Sequence, residues 1–196
     1  MGPEALIRAL SRPARASSDF DLNPGFAHPP GQTLRPAAVL VTVWDSPAGA
    51  CVILTKRASH LKHHPGQIAF PGGKVDAGDT GPQAAALREA HEEIGLIPDR
   101  VRVIGALPDH ETITGYQVTP FLAHLSGDFT PIPEPGEVDE AFTVPLDLLI
   151  DPANYRIEGR IWRGQMRRYY AVPYGPYYIW GATARILRGL ADRMAE

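Results

Sequence analysis

The chain has a single cysteine, Cys51, so no disulfide can form within it, and a reducing compartment is expected. Set in "CVIL", that cysteine reads as a core residue. No apolar run approaches the roughly 20 residues that span a bilayer. The opening "MGPEALIRALSRPAR" lacks the apolar segment of a signal peptide, and Glu4, Asp19 and Asp21 argue against an organelle transit sequence. The closing "RMAE" is no targeting address. Positive charge is not in excess: the formal net charge is −3, which excludes a nucleic-acid binder relying on bulk charge. Repeats and low-complexity tracts are also missing. These absences predict a soluble cytoplasmic protein that partners neither nucleic acid nor membrane.

What is present is enough apolar residue for a core, 44% of the chain, together with 20 prolines and 19 glycines. Residues 1–35 read as a lead-in. "EALIRAL" can form a short helix with Leu6 and Leu10 on one face, and "NPGFAHPPGQTLRP" reads as loop or arm. Residues 36–196 read as the compact domain. Two strands, "AAVLVTVW" and "CVILTKR", flank the turn "DSPAG". A long irregular stretch, "HLKHHPGQIAFPGGKVDAGDTG", follows, and loops of that length in a compact body are usually functional. Thr80 with Gln83 fits a capping box for a helix that runs to about Ile94 and stops at Gly95. Strands are expected at "VRVIGALP", "YQVTPFLAHL" and "YRIEGRIWRGQMRRYYAVPY". "PIPEPGEVDE" reads as an acidic loop, "PLDLLID" as a short helix and "IWGATARILRGLADRM" as the closing helix. Strands mixed with helices indicate a layered α/β or α+β fold.

The helix at "REAHEEIGL" concentrates three glutamates, Glu89, Glu92 and Glu93, within five residues. At helical spacing they fall roughly opposite Leu87, Ala90 and Ile94, and they can converge on one point. Either water screens them on an exposed face or a cation lies between them. Oxygen-only ligands suit Mg²⁺ or Mn²⁺. The glycine-rich "FPGGKVDAGDTG" just before the helix favours the cation, because bare backbone can approach the carboxylates there.

Gly73, Arg88, Glu89, Glu92, Glu93, Gly95 and Leu96 resemble the Nudix box, G-x5-E-x7-R-E-U-x-E-E-x-G-U, where U is bulky and aliphatic. Asp79 stands where the box has its first glutamate, eight residues rather than seven separate it from Arg88, and Ala90 fills a bulky position. Asp79 can still partner Arg88. The resemblance implies the Nudix fold, a mixed β-sheet sandwiched between α-helices, and hydrolysis of a diphosphate linked to a nucleoside. It implies metal binding by Glu89, Glu92 and Glu93 with the Gly72 carbonyl, and structural roles for Gly73, Arg88 and Gly95.

Upstream, "LTKRASHLKHHPGQIAFPGG" places Arg57, His60, Lys62 and His64 beside the glycine turn. A basic loop next to an anionic metal site suits a polyphosphate ligand, although a solvated loop would look the same. The arrangement Leu54, Thr55, Arg57, Gly66, Gln67, Phe70, Pro71, Gly72, Gly73 is similar to the extended motif of the coenzyme A diphosphatases, a Nudix subfamily. Ile53 replaces a leucine of that pattern. "TGYQVTPFL" and "IWGATARIL" are also similar to later segments, so the resemblance covers about residues 37–190. It implies cleavage of coenzyme A to 4′-phosphopantetheine and adenosine 3′,5′-bisphosphate. Arg57, His60, Lys62, His64, Gln67 and Tyr116 are then substrate-binding candidates, and the basic loop serves either the diphosphate or the 3′-phosphate. Tyr116 and Phe121 could stack on the adenine or belong to the core. Candidates for the catalytic base are Glu89, Glu137 and Glu111. The competing readings are a Nudix hydrolase of ADP-ribose, NADH or a nucleoside triphosphate, and a non-catalytic nucleotide-reading module. A homodimer is compatible with all three.

Overall fold

The computed structural model describes residues 2–162 and 164–195. In chain order the elements are α1 (Pro3–Ser11), β1 (Ser17–Ser18), β2 (Arg35–Ser46), β3 (Gly49–Arg57), β4 (Ile68–Ala69) and β5 (Gly72–Lys74). Next come α2 (Pro82–Ile94), β6 (Val101–Ala106), β7 (His110–Glu111), β8 (Tyr116–Leu125), β9 (Val138–Pro145) and α3 (Leu146–Ile150). The chain closes with β10 (Arg156–Trp162), β11 (Gln165–Tyr174), β12 (Tyr177–Trp180) and α4 (Ala182–Ala195).

Strand β2 is the axis of a mixed nine-stranded sheet. It pairs in parallel with β8 along Arg35–Trp44, and antiparallel with β5 at its start and β3 at its end. Strand β9 adds antiparallel to β3, while β6 and β7 add to β8. A second sheet, β10–β11–β12, is antiparallel throughout.

Strand alternation sorts the core onto two faces. Ala38 and Leu40 of β2, Ile53 of β3 and Phe121 of β8 face α2. Val41, Val43, Val52, Leu54 and Leu122 face the other way, toward α1, α3 and α4. Both faces of β2 are therefore covered, and its middle reads as a near-continuous apolar run. The α2 side is lined by Ala85, Ala86 and Ala90, all fully buried. Side chains that short let the helix backbone lie close to the sheet. Phe121 is core, not a stacking platform. Cys51 is buried, as expected.

The lead-in at residues 1–35 contributes to the same core. Leu6 is fully buried, and α1 packs on β6 and α4. Burying one leucine is worth roughly 1.5–3 kcal/mol.

Helix α2 ends as its sequence predicts. Gly95 is left-handed with φ 70°, its N–H bonds to the His91 carbonyl at 2.9 Å, and the Leu96 N–H reaches the Ala90 carbonyl at 3.2 Å. The Gly95–His91 bond is the αL type of helix closure, which favours glycine. The start differs from expectation. The cap position is Gly81, one residue beyond Thr80, with Pro82 opening the helix and no side chain capping it. The Thr80–Gln83 capping box is thus one residue out of register. Two boundaries also shift. Val138–Glu140, read as loop, begin β9, and Ile179–Trp180, read as helix, belong to β12. Among the described residues, no helix is long and apolar enough to cross a membrane.

Candidate active site

The glycine turn, helix α2 and the start of β9 meet at one point. Gly72 is there because nothing larger fits against the β2 backbone, and a side chain at Gly73 would displace the Glu89 carboxylate. A Cβ on Gly72 would lie 2.4 Å from the Ala38 carbonyl oxygen, and one on Gly73 would lie 2.4 Å from a Glu89 carboxylate oxygen. The Gly72 N–H instead donates to Glu93 Oε2 at 3.3 Å. Bare backbone does approach the carboxylates.

Glu93 is buried, only 3% exposed. Helical spacing had placed it opposite the apolar side. It follows Ala90 by three residues, on the shoulder of the apolar stripe, and the glycine turn closes over it. Burial first, then the neighbouring Glu89, push its carboxyl up to about 8, against the opposing pull of Arg57 and the Gly72 N–H. Glu89 is also raised, by burial, although its hydrogen bond with Arg88 acts the other way.

The third carboxylate of the cluster comes from outside the helix. Glu89, Glu93 and Glu137 each present an oxygen within 4.8 Å of the others. Glu137 is delivered by a loop anchored at both ends. The Ile132 N–H bonds to the Ile94 carbonyl at 3.0 Å, and the Glu134 N–H bonds to the Glu93 carbonyl at 2.9 Å. These satisfy carbonyls that the helix end leaves open. At the other end the Glu137 carbonyl accepts from the Ala58 N–H at 2.8 Å, and β9 continues antiparallel to β3.

Glu92 stays on the outer face. Its side chain is 55% exposed, and it accepts from Arg88 Nη1 at 2.9 Å. Arg88 is the brace of the site. Its Nε and Nη2 donate to the two Asp79 oxygens at 2.9 and 3.0 Å, and Nη1 also donates to Glu89 at 3.0 Å. Asp79 therefore partners Arg88 despite its shorter side chain and the extra residue between them. Hydrogen bonding to Asp79 first, then to Glu89 and Glu92, raises the guanidinium pKa further.

This donor set fits a hard divalent cation. Three carboxylates with oxygens this close repel unless a cation or a proton lies among them, and oxygen-only donors suit Mg²⁺ or Mn²⁺. Glu111 is not among the three; it sits on β7 with His28 Nε2 3.1 Å from its oxygen.

The basic loop leaves β3 and returns through β4. The Arg57 carbonyl accepts from the Gly66 N–H, and the Arg57 N–H donates to the Gln67 carbonyl, both at 3.0 Å. Arg57 is half-buried and near enough to lower the pKa of Glu93. His60 and Lys62 are exposed. Tyr116 stacks under the Arg35 guanidinium, 4.0 Å from its ring centroid.

His64 and Gln67 instead line a cavity of about 260 Å³. His64 holds a left-handed φ of 54°, a conformation histidine adopts more readily than most residues. The cavity's other walls come from Arg160, Arg167, Tyr169 and Trp180, none of which sequence reasoning singled out. Their available signal was the run of arginines and aromatics in β10–β12, which reads equally well as alternation on a solvated sheet.

Comparison with known proteins bears on this arrangement. The family model for the NUDIX domain matches residues 33–163. The chain is 42% identical over 159 residues to the uncharacterized Nudix hydrolase NudL of Enterobacter sp. (strain 638), covering 80% of this chain and 81% of that one. It is 41% identical over 157 residues to NudL of Escherichia coli (strain K12), with the same coverage. Among solved structures it is similar to RenU, a Nudix hydrolase from M. smegmatis, with TM-score 0.50 and 29% identity over 59% of this chain and 73% of that chain. The MutT protein of Methanosarcina mazei Go1 matches with TM-score 0.52 over 84% of this chain and 95% of that one. At 15% identity that second likeness concerns the fold alone. The fold of these relatives is the mixed sheet between helices found here.

Proposed function

The chain belongs to the Nudix family and is a hydrolase of the pyrophosphatase type, and from that premise we propose that it cleaves the diphosphate of coenzyme A. The products are 4′-phosphopantetheine and adenosine 3′,5′-bisphosphate. One observation carries the hydrolytic part of this reading: Glu89, Glu93 and Glu137 converge beside a glycine turn where a side chain would meet the β2 backbone or the Glu89 carboxylate. The substrate is inferred from the residue 54–73 motif, whose Arg57 lies beside the carboxylates and whose His64 and Gln67 line the neighbouring cavity.

Glu89, Glu93 and Glu137 would hold Mg²⁺ or Mn²⁺, with the Gly72 carbonyl and Glu92 as the further oxygens that the family resemblance assigns. Such a cation, when bound, makes water more acidic and neutralises charge on phosphoryl oxygens. The protein's own groups supply the rest. Glu89 or Glu137 accepts the proton of the attacking water through an oxygen left over from ligation. Arg88 fixes Glu89 through its fork on Asp79, so the acceptor keeps one orientation. Arg57 meets a substrate phosphate, of the diphosphate or the 3′-position, through charge-assisted hydrogen bonds.

Turnover of coenzyme A, dephospho-coenzyme A, ADP-ribose and NADH, with and without Mg²⁺ or Mn²⁺, tests this directly. Metal-dependent release of 4′-phosphopantetheine, faster than any release from ADP-ribose or NADH, is expected. Faster hydrolysis of ADP-ribose would overturn the coenzyme A assignment.

A further inference from the structure

The small sheet β10–β12 carries a charge arrangement that the carboxylate site does not use. Arg160 and Arg167 stand directly opposite each other in the β10–β11 register, so both side chains project from one face. Like charges directly opposed across strands are destabilising. Both arginines line the 260 Å³ cavity that also receives His64. Arg160 is held 4.4 Å from the Trp180 ring centroid. A stacked guanidinium keeps its in-plane donors for a ligand. Asp19 is the carboxylate at this wall; it accepts from the Ile113 N–H at 2.9 Å, faces His110 Nε2 at 3.2 Å and also attracts the Arg167 guanidinium, so one carboxylate faces two arginines. The wall keeps a surplus of positive charge, and the floor beneath it is apolar, including Phe70.

We propose that this cavity receives the phosphorylated nucleoside end of the substrate, with Arg160 and Arg167 gripping its phosphomonoester and the base lying beside Tyr169. The inference rests on the coenzyme A reading, in which the adenosine carries a 3′-phosphate, and it settles a choice that reading leaves open. The 3′-phosphate goes to the small sheet, and Arg57 is left for the diphosphate. The cavity is smaller than the roughly 300–1,000 Å³ of sites that enclose a whole drug-sized ligand, as suits one end of a long molecule. Phe70 of its floor is two residues from Gly72 of the carboxylate site, so one substrate can reach both. Arg167, Tyr169 and Trp180 lie beyond residue 163, where the match to the NUDIX domain ends, and Arg160 lies just inside it.

The test uses the full chain and the double variant Arg160→Gln/Arg167→Gln, with Arg160→Lys as the conservative control and thermal melting as a guard on folding. Calorimetry with adenosine 3′,5′-bisphosphate and adenosine 5′-monophosphate reads the cavity without turnover. The bisphosphate should bind the unmodified protein at least tenfold tighter than the monophosphate, and the double variant should lose that margin while Arg160→Lys keeps most of it. In turnover, kcat/KM for coenzyme A should fall 10- to 100-fold in the double variant, with dephospho-coenzyme A changed less than threefold. Equal binding of the two nucleotides, or equal losses for both substrates, overturns the inference and leaves the diphosphatase reading standing. Phosphate-dependent binding without coenzyme A turnover does the reverse.

Discussion

The carboxylate site and the arginine cavity adjoin, yet they are encoded in opposite ways. Two of the three convergent carboxylates sit four residues apart on one helix, so their proximity is a property of helical spacing. The cavity draws its walls from the basic loop, all three strands of the small sheet, parts of the main sheet and the start of the closing helix, and no spacing rule joins these. Chemistry common to a family is held where local geometry fixes it. On the proposed reading, selectivity sits where tertiary packing must assemble it and where it can change without disturbing the reacting atoms.

The sharpest test of that contrast is Glu93→Gln. The substitution keeps the volume and the bond from the Gly72 N–H but removes a charge, so kcat should fall on the order of 10²-fold or more. Metal-free thermal stability should not fall, because the lost group is a buried carboxyl crowded by two others. Near-normal turnover with unchanged metal dependence would end the metal-site reading. Glu137→Gln should cost nearly as much and, if Glu137 is the proton acceptor, should flatten the acidic limb of the rate–pH profile. An unaltered limb would transfer that role to Glu89.

Arg57→Ala should lower kcat/KM about 10- to 100-fold, from the loss of one charge-assisted contact. Unlike the double arginine variant of the small sheet, it should do so equally for coenzyme A and dephospho-coenzyme A. A loss confined to coenzyme A would erase the division between the two regions. Glu92→Gln should cost less, about tenfold, since its partner here is Arg88. A loss equal to that of Glu93→Gln would make Glu92 as important to the metal site as Glu93.

The smallest effect concerns the lead-in. Burial pushes the Asp19 carboxyl up, but the His110 contact and the Ile113 N–H outweigh it, so its pKa lies below the ordinary value. A depressed carboxylate stabilises the fold above its unfolded pKa of about 4, and that stability is lost as pH falls through the lower folded value. Asp19→Asn should therefore cost about 1–3 kcal/mol near neutral pH, with the two urea midpoints converging below about pH 4. Parallel curves at every pH would show that the ion is not what anchors the segment.

These regions also differ in how far the sequence disclosed them. The α2 stripe, the Gly95 stop and the strands at 35–46 and 116–125 follow from periodicity, because each is dictated by its own neighbours. The Asp79–Arg88 fork was legible through the likeness to the Nudix box, in which Asp79 stands for the first glutamate. Glu93 was placed on the wrong side, since its burial depends on a glycine turn folding over it. Thr80 was one residue out, since an N-cap is decided by a single dihedral at Gly81. Arg160, Arg167 and Trp180 were invisible, because the pairings of β10 with β11 and of β11 with β12 are what make them neighbours.

The loop carrying Glu137 has a consequence for how this chain can vary. Its near end is clamped to the last carbonyls of α2 and its far end to β3, so both ends are fixed and the chain between them acts as a ruler. Changing its prolines or its charges leaves that ruler the same length. Inserting or deleting a single residue between Glu134 and Glu137 would move the third carboxylate off the other two, or slip β9 by one position and turn its buried face outward. Drift in composition is tolerable here, and drift in length is not.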